Sequence, residues 1–239
     1  MAQAQFPMVP AWSVVDDAFT PAWIDSIAVW YDATDLGVME VSGDTMYAWL
    51  DKSGNSRHAY QLASASKPVF SDSSGIKYVL FDGVDDALVG PVLPSSSGYT
   101  IFIVSRTYTR VGTQIAYHMG NTGINGYGML HYGQKVAVLH GGRSLKVGAV
   151  ANTLNREIWS ARHSTGGTTM TVNADTLVGI NDLTVSFSTP TTQSSIGSNE
   201  VNNAPFRGWI AEIIVYSRRL TPTEWLQVYT YLSSKWAIP

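Results

Sequence analysis

Three observations predict an all-β antiparallel sandwich closed by a single C-terminal α-helix. Short alternating apolar runs recur between turn dipeptides along most of the chain, the pattern of a sandwich rather than of βαβ units. Only 14% of the 239 residues are charged while 45% are hydrophobic, which argues against disorder, coiled coil and a nucleic-acid-binding surface. A complete helix-start signature stands near the C-terminus. All-β chains of this length are often one domain, and no repeat, linker or low-complexity tract divides this one. The predicted organisation is an N-terminal docking arm over residues 1–20 and one sandwich domain over 21–239.

The arm, MAQAQFPMVPAWSVVDDAFT, has no clear period. Its apolar content is Phe6, Met8, Val9 and Trp12, and an apolar arm of this kind calls for a partner to hold it, either its own domain or a neighbouring chain. Strand-like runs follow: IAVWYDA (27–33), TMYAWLD (45–51), IKYVLFD (76–82) and YTIFIVSRTY (99–108). Then come TQIAYHM (113–119), YGMLHYG (127–133), KVAVLHG (135–141), REIWSARH (156–163), TTMTVNA (168–174) and TQSSIGS (192–198). GWIAEIIVY (208–216) is the most apolar and is placed at the centre of a sheet. Gly54-Asn55, Asp82-Gly83, Asn125-Gly126, Gly141-Gly142 and Gly166-Gly167 are the dipeptides that close tight hairpins.

The helix begins with Thr221 as N-cap, Pro222 at the first helical position and Glu224 three residues after the cap. Leu220 and Trp225 are placed to form a hydrophobic staple. Trp225, Val228, Tyr229, Leu232 and Trp236 repeat at helical spacing, giving an apolar face that packs on the sandwich.

The absence of cysteine excludes disulfides, thiolate metal sites and cysteine nucleophiles. The net charge of −3 hides an asymmetry. Residues 1–90 carry twelve acids against four bases, and the remainder carries six acids against eleven bases. The bases (Arg106, Arg110, Arg143, Arg156, Arg162, Arg207) are scattered, without the clustering that a phosphate-tracking groove needs, so no nucleic-acid partner is expected. No apolar run approaches the roughly 18 residues of a membrane span. The first base is Lys52, so no positively charged leader region is expected.

The segments PAWIDSIAVWYDATDLG (21–37) with AWLDKSGNSRHAYQLASASKPVF (48–70), VLFDGVDDALV (79–89), and FRGWIAEIIVYSRRLTPTEWLQVYTYLSSKW (206–236) occur in that order. Together they resemble the laminin-G-like, concanavalin A-like jelly-roll family of bacterial and bacteriophage proteins. IWSARHSTGGTTMTVNADTL (158–177) is similar to the family's Trp-bearing strand and hairpin, with Ala174 where a glycine is usual. The resemblance covers about residues 19–236 and implies a concanavalin A-like jelly-roll sandwich. The WYDATD and DKSGNSRHAYQ openings are similar to versions carried in phage virion proteins. That similarity implies a virion-surface position, assembly in a host cytoplasm, docking to other virion proteins through the arm, and a trimer for fibre-type members. One sandwich hosts lectins, hydrolases and structural proteins alike, so function rests on the site.

Glycoside hydrolysis takes two facing carboxylates, which in the hydrolase branch come from one strand in an E-x-D-x-x-E or E-x-D-x-E pattern. None of Glu40, Glu157, Glu200, Glu212 or Glu224 stands in such a pattern. Under strict alternation Glu212 shares a face with Ile210 and Ile214, which makes it a buried structural carboxylate paired with an Arg or an amide. No G-x-S-x-G, G-K-S/T or H-E-x-x-H motif is present, so a non-enzymatic protein is expected. His118, His131 and His140 lie on neighbouring predicted strands and read as cross-strand residues before they read as a metal site. Asp82, Asp85 and Asp86 on one turn are candidate Ca²⁺ ligands, against the alternative that they cap their own turn. Tyr117, His118, Asn121, Asn125, Tyr127, His131 and Tyr132, in a Gly-rich setting, are the candidate carbohydrate site, because sugar faces stack on rings and amides fix hydroxyls. The expected function is a lectin-like module that binds host-surface glycan. The alternatives are a structural virion decoration or connector and a divergent glycan hydrolase.

Overall fold

A computed structural model describes residues 19–73, 75–94, 98–121, 125–140, 143–151, 154–173, 175–180 and 190–239. The arm residues Phe6, Met8, Val9 and Trp12, together with Gly141-Gly142 and Ala174, lie outside the described residues. Among the described residues seventeen strands precede one α-helix. They are β1 (Ile27–Asp32), β2 (Met39–Ser42), β3 (Thr45–Trp49), β4 (Ala59–Tyr60), β5 (Val69–Ser73), β6 (Ile76–Asp82), β7 (Leu88–Gly90), β8 (Gly98–Thr107) and β9 (Thr113–Met119). After them come β10 (Tyr127–Tyr132), β11 (Lys135–His140), β12 (Arg143–Ala151), β13 (Glu157–Ser164), β14 (Gly167–Val172), β15 (Asp175–Ile180), β16 (Ser194–Ile196) and β17 (Arg207–Tyr216), then α1 (Pro222–Trp236).

All described strand pairings are antiparallel, and they form two layers. In the first, β17 lies beside β8 on one edge and beside β6 and then β1 on the other, with β5 outside β6 and β13, β14 and β15 beyond β8. The second runs β2-β3-β4-β7-β16-β9-β10-β11-β12. The Thr45↔Val69 bridge joins the layers at one edge, nearly closing the sandwich. This is the all-β jelly-roll-like architecture with one C-terminal helix. The inner faces meet in a core of Tyr31, Trp49, Phe81, Tyr117, Met129, Trp159, Phe206, Ile210 and Ile213.

The turn signals need correction. Asp82-Gly83 does not close a hairpin, because β7 pairs with β4 and β16 rather than with β6. Gly54-Asn55 and Asn125-Gly126 lie in longer loops between paired strands. A two-residue loop is found at Thr165-Gly166, where Ser164 pairs with Gly167, and another at Gly133-Gln134, where Tyr132 pairs with Lys135.

The helix forms as its cap signature predicts. Thr221 Oγ1 accepts from Glu224 N and the Glu224 carboxylate accepts from Thr221 N, a reciprocal capping box. Val228, Tyr229, Leu232 and Trp236 bury their side chains against Trp30, Phe102, Val104, Ile158, Ile214 and Tyr216 on the outer face of the first layer, and Leu220 and Trp225 join the same cluster.

Glu212 departs from the alternation rule. In the β8–β17 ladder Ile210 pairs with Ser105 and Glu212 with Val104, so Ala211 is the extra residue of a β-bulge. The bulge resets the phase of the strand: Ile210 faces the inner core, while Ala211 and Ile214 face the helix. Glu212 faces the helix too, fully buried. Its partners are neither Arg nor amide. Trp30 Nε1 and Tyr231 OH donate to Oε1 at 2.7 and 3.2 Å, and Lys235 Nζ and Trp236 Nε1 donate to Oε2 at 2.8 and 2.6 Å. Lys235 also reaches Asp32 at 2.8 Å, and Lys52 holds the other Asp32 oxygen at 2.9 Å.

Removing Lys235 takes from the buried Glu212 its ammonium partner and leaves Asp32 with Lys52 alone. Lys235→Ala is therefore expected to lose about 3–5 kcal/mol of unfolding free energy. Thr221→Ala, which removes only the cap, is expected to lose about 1 kcal/mol. Urea unfolding of the two variants side by side checks the ranking.

Candidate functional site

The second layer presents two side-chain rows. Leu88, Ile196, Tyr117, Met129 and Val138, cross-strand neighbours on β7, β16, β9, β10 and β11, point into the core. The next residue of each strand points outward. Tyr60 pairs with Val89, Val89 with Ser195, Ser195 with His118, and His118 with Gly128. Residues directly opposite one another share a face, so Tyr60, Val89, Ser195 and His118 form one row on the outer surface.

Part of that row is roofed by the turn that follows β16. Asn199 Oδ1 accepts from Asn203 N at 2.9 Å, Asn199 Nδ2 donates to Asn203 Oδ1 at 2.7 Å, and Asn202 N donates to Asn199 O at 3.1 Å. The turn is anchored at its start by Gly197, at φ +85°, where a Cβ would stand 2.2 Å from the Phe81 ring. Ala204 packs on Ile115, Leu130, Ala137 and Leu139 of the same outer face. Between turn and sheet lies a groove of about 370 Å³, walled by Gln61, Val89, Gln193, Ser195, Asn199, Glu200 and Asn202 among others. Tyr60, 43% exposed, stands beside Val89 at its margin. Gln61 is fixed by donating to Ala87 O at 2.8 Å and accepting from Ala63 N at 3.0 Å. Planar amides, hydroxyls and one carboxylate over a weakly apolar floor can pair sugar hydroxyls while a ring stacks on the sugar face.

His118 lies beneath this roof, its Nδ1 3.4 Å from Glu200 Oε2. Gly126 makes room for the imidazole, since a Cβ there would stand 2.5 Å from His118 Nε2. Burial pushes the His118 pKa down to about 4, outweighing the opposing pull of Glu200. His131 is likewise pushed to about 4, by burial and then by Arg110. Both rings are therefore neutral at pH 7.

The expected carbohydrate stretch is divided by the fold. Tyr117 and Tyr127 are fully buried, Tyr117 in the inter-sheet core and Tyr127 stacked on Tyr99 at 4.3 Å. His118 and His131 are also buried. A buried ring cannot stack on a sugar, so these four act as packing; the alternation of β9 and β10 carries them under other structure. Asn121 and Asn125 close their own loop, with Asn121 N donating to Asn125 Oδ1 at 3.2 Å and Asn125 N to Asn121 O at 3.2 Å. Tyr132 is the exposed ring of the set, at the end of β10. The groove is instead built from the amide-rich run Ser198-Asn199-Glu200-Val201-Asn202-Asn203, with Gln61 and Gln193. The density of amides in that run is the sequence signal that could have located it.

Asp82, Asp85 and Asp86 do converge, with a ligand oxygen from each inside 4.8 Å. They adjoin the groove: Asn202 Nδ2 donates to Asp85 O at 3.0 Å, and Ala87 is both the residue after Asp86 and part of the groove lining. Each carboxylate commits one oxygen locally. Asp86 Oδ2 accepts from Asp82 N, Asp82 Oδ1 from Val84 N and Asp85 N, and Asp85 Oδ2 from Ser66 Oγ. The trio thus brings three carboxylates together as a hard divalent ion such as Ca²⁺ requires. Burial raises the Asp86 pKa from 3.8 to about 6; the Asp82 N–H bond opposes the rise, and the charges of Asp82 and Asp85 add to it.

A larger groove of about 630 Å³ follows the outer face of α1, lined by Phe19, Leu226, Tyr231 and Lys235 among others. Convergent amides like those of the smaller groove are missing from it, since Gln227 is the one side-chain amide in its lining. Among the described residues no helix is long and apolar enough to cross a membrane.

No protein-family model matches the chain, and no curated protein does. Solved structures of similar fold include the binding domain of botulinum neurotoxin serotype G, with TM-score 0.61 and 11% identity over 86% of this chain and 51% of that one. The binding domain of botulinum neurotoxin DC in complex with SialylT gives TM-score 0.61 and 8% identity over 89% and 52%. Trypanosoma rangeli sialidase gives 0.59 and 13% over 88% and 33%. The chain thus spans about half the length of the toxin domains and a third of the sialidase. At these identities the likeness is one of fold.

The raised Asp86 pKa fixes a pH dependence. The folded chain binds the Asp86 proton between about pH 4 and 6, so this group's contribution to stability is present at low pH and lost as pH rises through 6. With chelator at pH 7.5, Asp86→Asn is expected to melt above the parent, and the difference should close at pH 5. Millimolar Ca²⁺ should raise the melting temperature of the parent alone, and less at pH 5 than at pH 7.5. Differential scanning fluorimetry reads all these conditions, and an unchanged parent curve in Ca²⁺ removes the cation site.

Proposed function

We propose that the chain is a non-enzymatic, lectin-like module that binds carbohydrate in the groove between the outer face of the second layer and the 199–203 turn. One observation carries this reading: a preformed groove in which Gln61, Gln193, Asn199 and Asn202 converge beside an exposed tyrosine and a cation-competent aspartate turn. Binding in a structure of similar fold, named as a complex with SialylT, supports the assignment by analogy. Glycoside cleavage needs two carboxylates across the bond. Glu200 is the one carboxylate in the groove's lining among the described residues, and the buried Glu212 belongs to the helix contact. Both observations favour binding over hydrolysis.

The proposed setting is a phage virion surface, in a tail, fibre or capsid position, where the module recognises host-surface glycan. The similarity of the 21–70 segment to virion proteins supports it, and a trimer suits the fibre position. The second reading, a decoration or connector that binds no sugar, is favoured by the apolar groove on α1. Phe19, which lines that groove, is where the arm carrying Phe6, Met8, Val9 and Trp12 enters the sandwich, so the arm is the proposed docking element for other virion proteins.

Glycan-array screening in Ca²⁺ is expected to return a defined set of oligosaccharides. Tyr60→Ala and Gln193→Ala should each weaken the best of them about tenfold, or about 1.4 kcal/mol. As surface changes, both should move stability by less than about 0.5 kcal/mol. Deletion of residues 1–18 should leave that binding intact while abolishing incorporation into particles. An empty array together with arm-dependent incorporation establishes the connector reading instead.

A further inference from the structure

The cover over the outer face of the first layer ends with the short tail after α1, and a third groove, of about 340 Å³, opens beside that tail. Its walls include Ile76, Arg106, Arg156, Trp209, Ile238 and Pro239. The two arginines are far apart in sequence and meet through the β8–β13 ladder. Val104 pairs with Ile158, and both face the helix side of the layer. Two residues further along β8 stands Arg106, and two residues before Ile158 stands Arg156, so the period of a strand puts both on that same face. Trp209 lies opposite Arg106 in β17 and forms part of the floor, with the Tyr78 ring stacked on it at 5.2 Å. Arg106 is held by its Nε, which donates to Leu154 O at 2.8 Å, and by the Tyr108 ring, whose centre lies 5.7 Å from its guanidinium carbon. Neither arginine has an acidic partner among the described residues, and no Asp or Glu is part of the described lining. Glu157, the next residue after Arg156, is turned into the core, where it accepts from Trp159 Nε1 at 2.9 Å. Pro239 O accepts from Tyr229 OH at 3.0 Å and makes no ion pair with either arginine.

Two guanidinium groups that share one groove repel each other, and elsewhere in this protein such a charge is matched, as Arg218 is by Asp25 and Glu224. An anion bound between Arg106 and Arg156 supplies the missing match. The guanidinium fork is always charged and fits carboxylate, sulfate and phosphate oxygens in pairs, and a partly desolvated groove strengthens the attraction. The volume is at the low end of small-molecule sites, and two arginines fall short of the row of cations that tracks a nucleic-acid backbone. We propose that this groove is an oxyanion site for a small ligand bearing a carboxylate, sulfate or phosphate group. The anion lies between Arg106 and Arg156, and an apolar edge of the ligand rests on Ile76 and Trp209. An acidic sugar and a free inorganic oxyanion share this chemistry. The site belongs to the first layer, whereas the amide-lined groove belongs to the second, so it stands whether or not that groove holds sugar.

The test is isothermal titration calorimetry on the full chain with glucuronate, galactose 6-sulfate, sodium sulfate and sodium phosphate, and with galactose as the neutral control. Binding of an anionic probe is expected, weakened by raising NaCl from about 0.05 to 0.5 M. Arg156→Gln removes a side chain that no described ion pair or hydrogen bond holds, so its melting curve should match the parent's while anion binding weakens about tenfold. Arg106→Gln should weaken the same binding at least as much, and galactose should give no heat that depends on either arginine. An acidic sugar binding at least tenfold tighter than sulfate or phosphate identifies a sugar as the ligand, and equal binding identifies a free oxyanion; both place the anion at the arginines. Absence of binding by every anionic probe at millimolar concentration overturns the site, as does anion binding that Arg156→Gln leaves unchanged.

Discussion

The C-terminal helix can dock only because a carboxylate with no access to solvent, Glu212, is matched to it group by group. An ionised carboxylate in an apolar layer is costly unless charge and hydrogen bonds are both supplied. Lys235 supplies the charge, bridging Glu212 to Asp32, and Lys52 closes the far side of Asp32, so two acids meet two ammonium groups. Two indoles and one phenol supply hydrogen bonds without adding charge. The carboxyls are pushed in opposite directions. Burial raises Glu212 despite Lys235, whereas for Asp32 the Lys235 charge and the hydrogen bonds from Lys235, Thr34 and Lys52 outweigh burial and lower it. A helix shifted by one residue would carry Lys235 and Trp236 off their oxygens together, so the network fixes the register of α1 on the sheet more sharply than apolar packing alone would.

That fixed layer frees the opposite one. The first layer is covered on its outer face by α1, and the inner faces of both layers are filled by the core, which leaves the outer face of the second layer as the broad sheet surface available for a ligand. Even there the covering is partial, because Ala204 and its neighbours take the β9–β11 end and leave the β4, β7 and β16 end open. The groove walls are held by hydrogen bonds within the 199–203 turn and by a glycine that no other residue can replace at Gly197. A site built in this way needs little ordering on binding, which favours affinity for a weakly apolar ligand such as a sugar.

Strand existence, the central position of β17 and the capped helix were legible because each depends on local chemistry: alternation, continuous apolarity, and Thr221 with Glu224. The strands that escaped notice, such as β4 with two residues and β7 with three, are too short to show a period. The bulge at Ala211 was not legible, since the run itself alternates and the extra residue is defined only against β8. The groove was not legible for a related reason. Tyr117, His118, Tyr127 and His131 are suitable residue types for sugar binding, yet Tyr117, Tyr127 and His131 lie on the inner face of the second layer and His118 lies under the turn after β16, and both facts are non-local. The aspartate turn was readable because its three residues lie within five positions and converge through the turn itself, whereas Gln61, Gln193 and Asn199 meet only through the pairing of β4, β7 and β16.

The uneven distribution of charge along the chain has the same origin. Four acids of the opening third are internal wiring. Asp51 accepts from Trp30 N, Ser53 N, Ser53 Oγ and Arg57 N, and Asp32 and Asp35 hold Lys52. Asp25 pairs with Arg218, which also holds Glu224. Several of the matching bases come from the far end of the chain, so Lys235 and Arg218 tie the last strand and helix to the first strand through charge as β1–β17 pairing does through the backbone. The segregation by sequence is therefore a record of antiparallel closure between the two ends of the domain. Asp82, Asp85 and Asp86 take no part in those ion pairs and gather on one turn instead. Its three carboxylates converge through the turn itself, and they lie beside the groove.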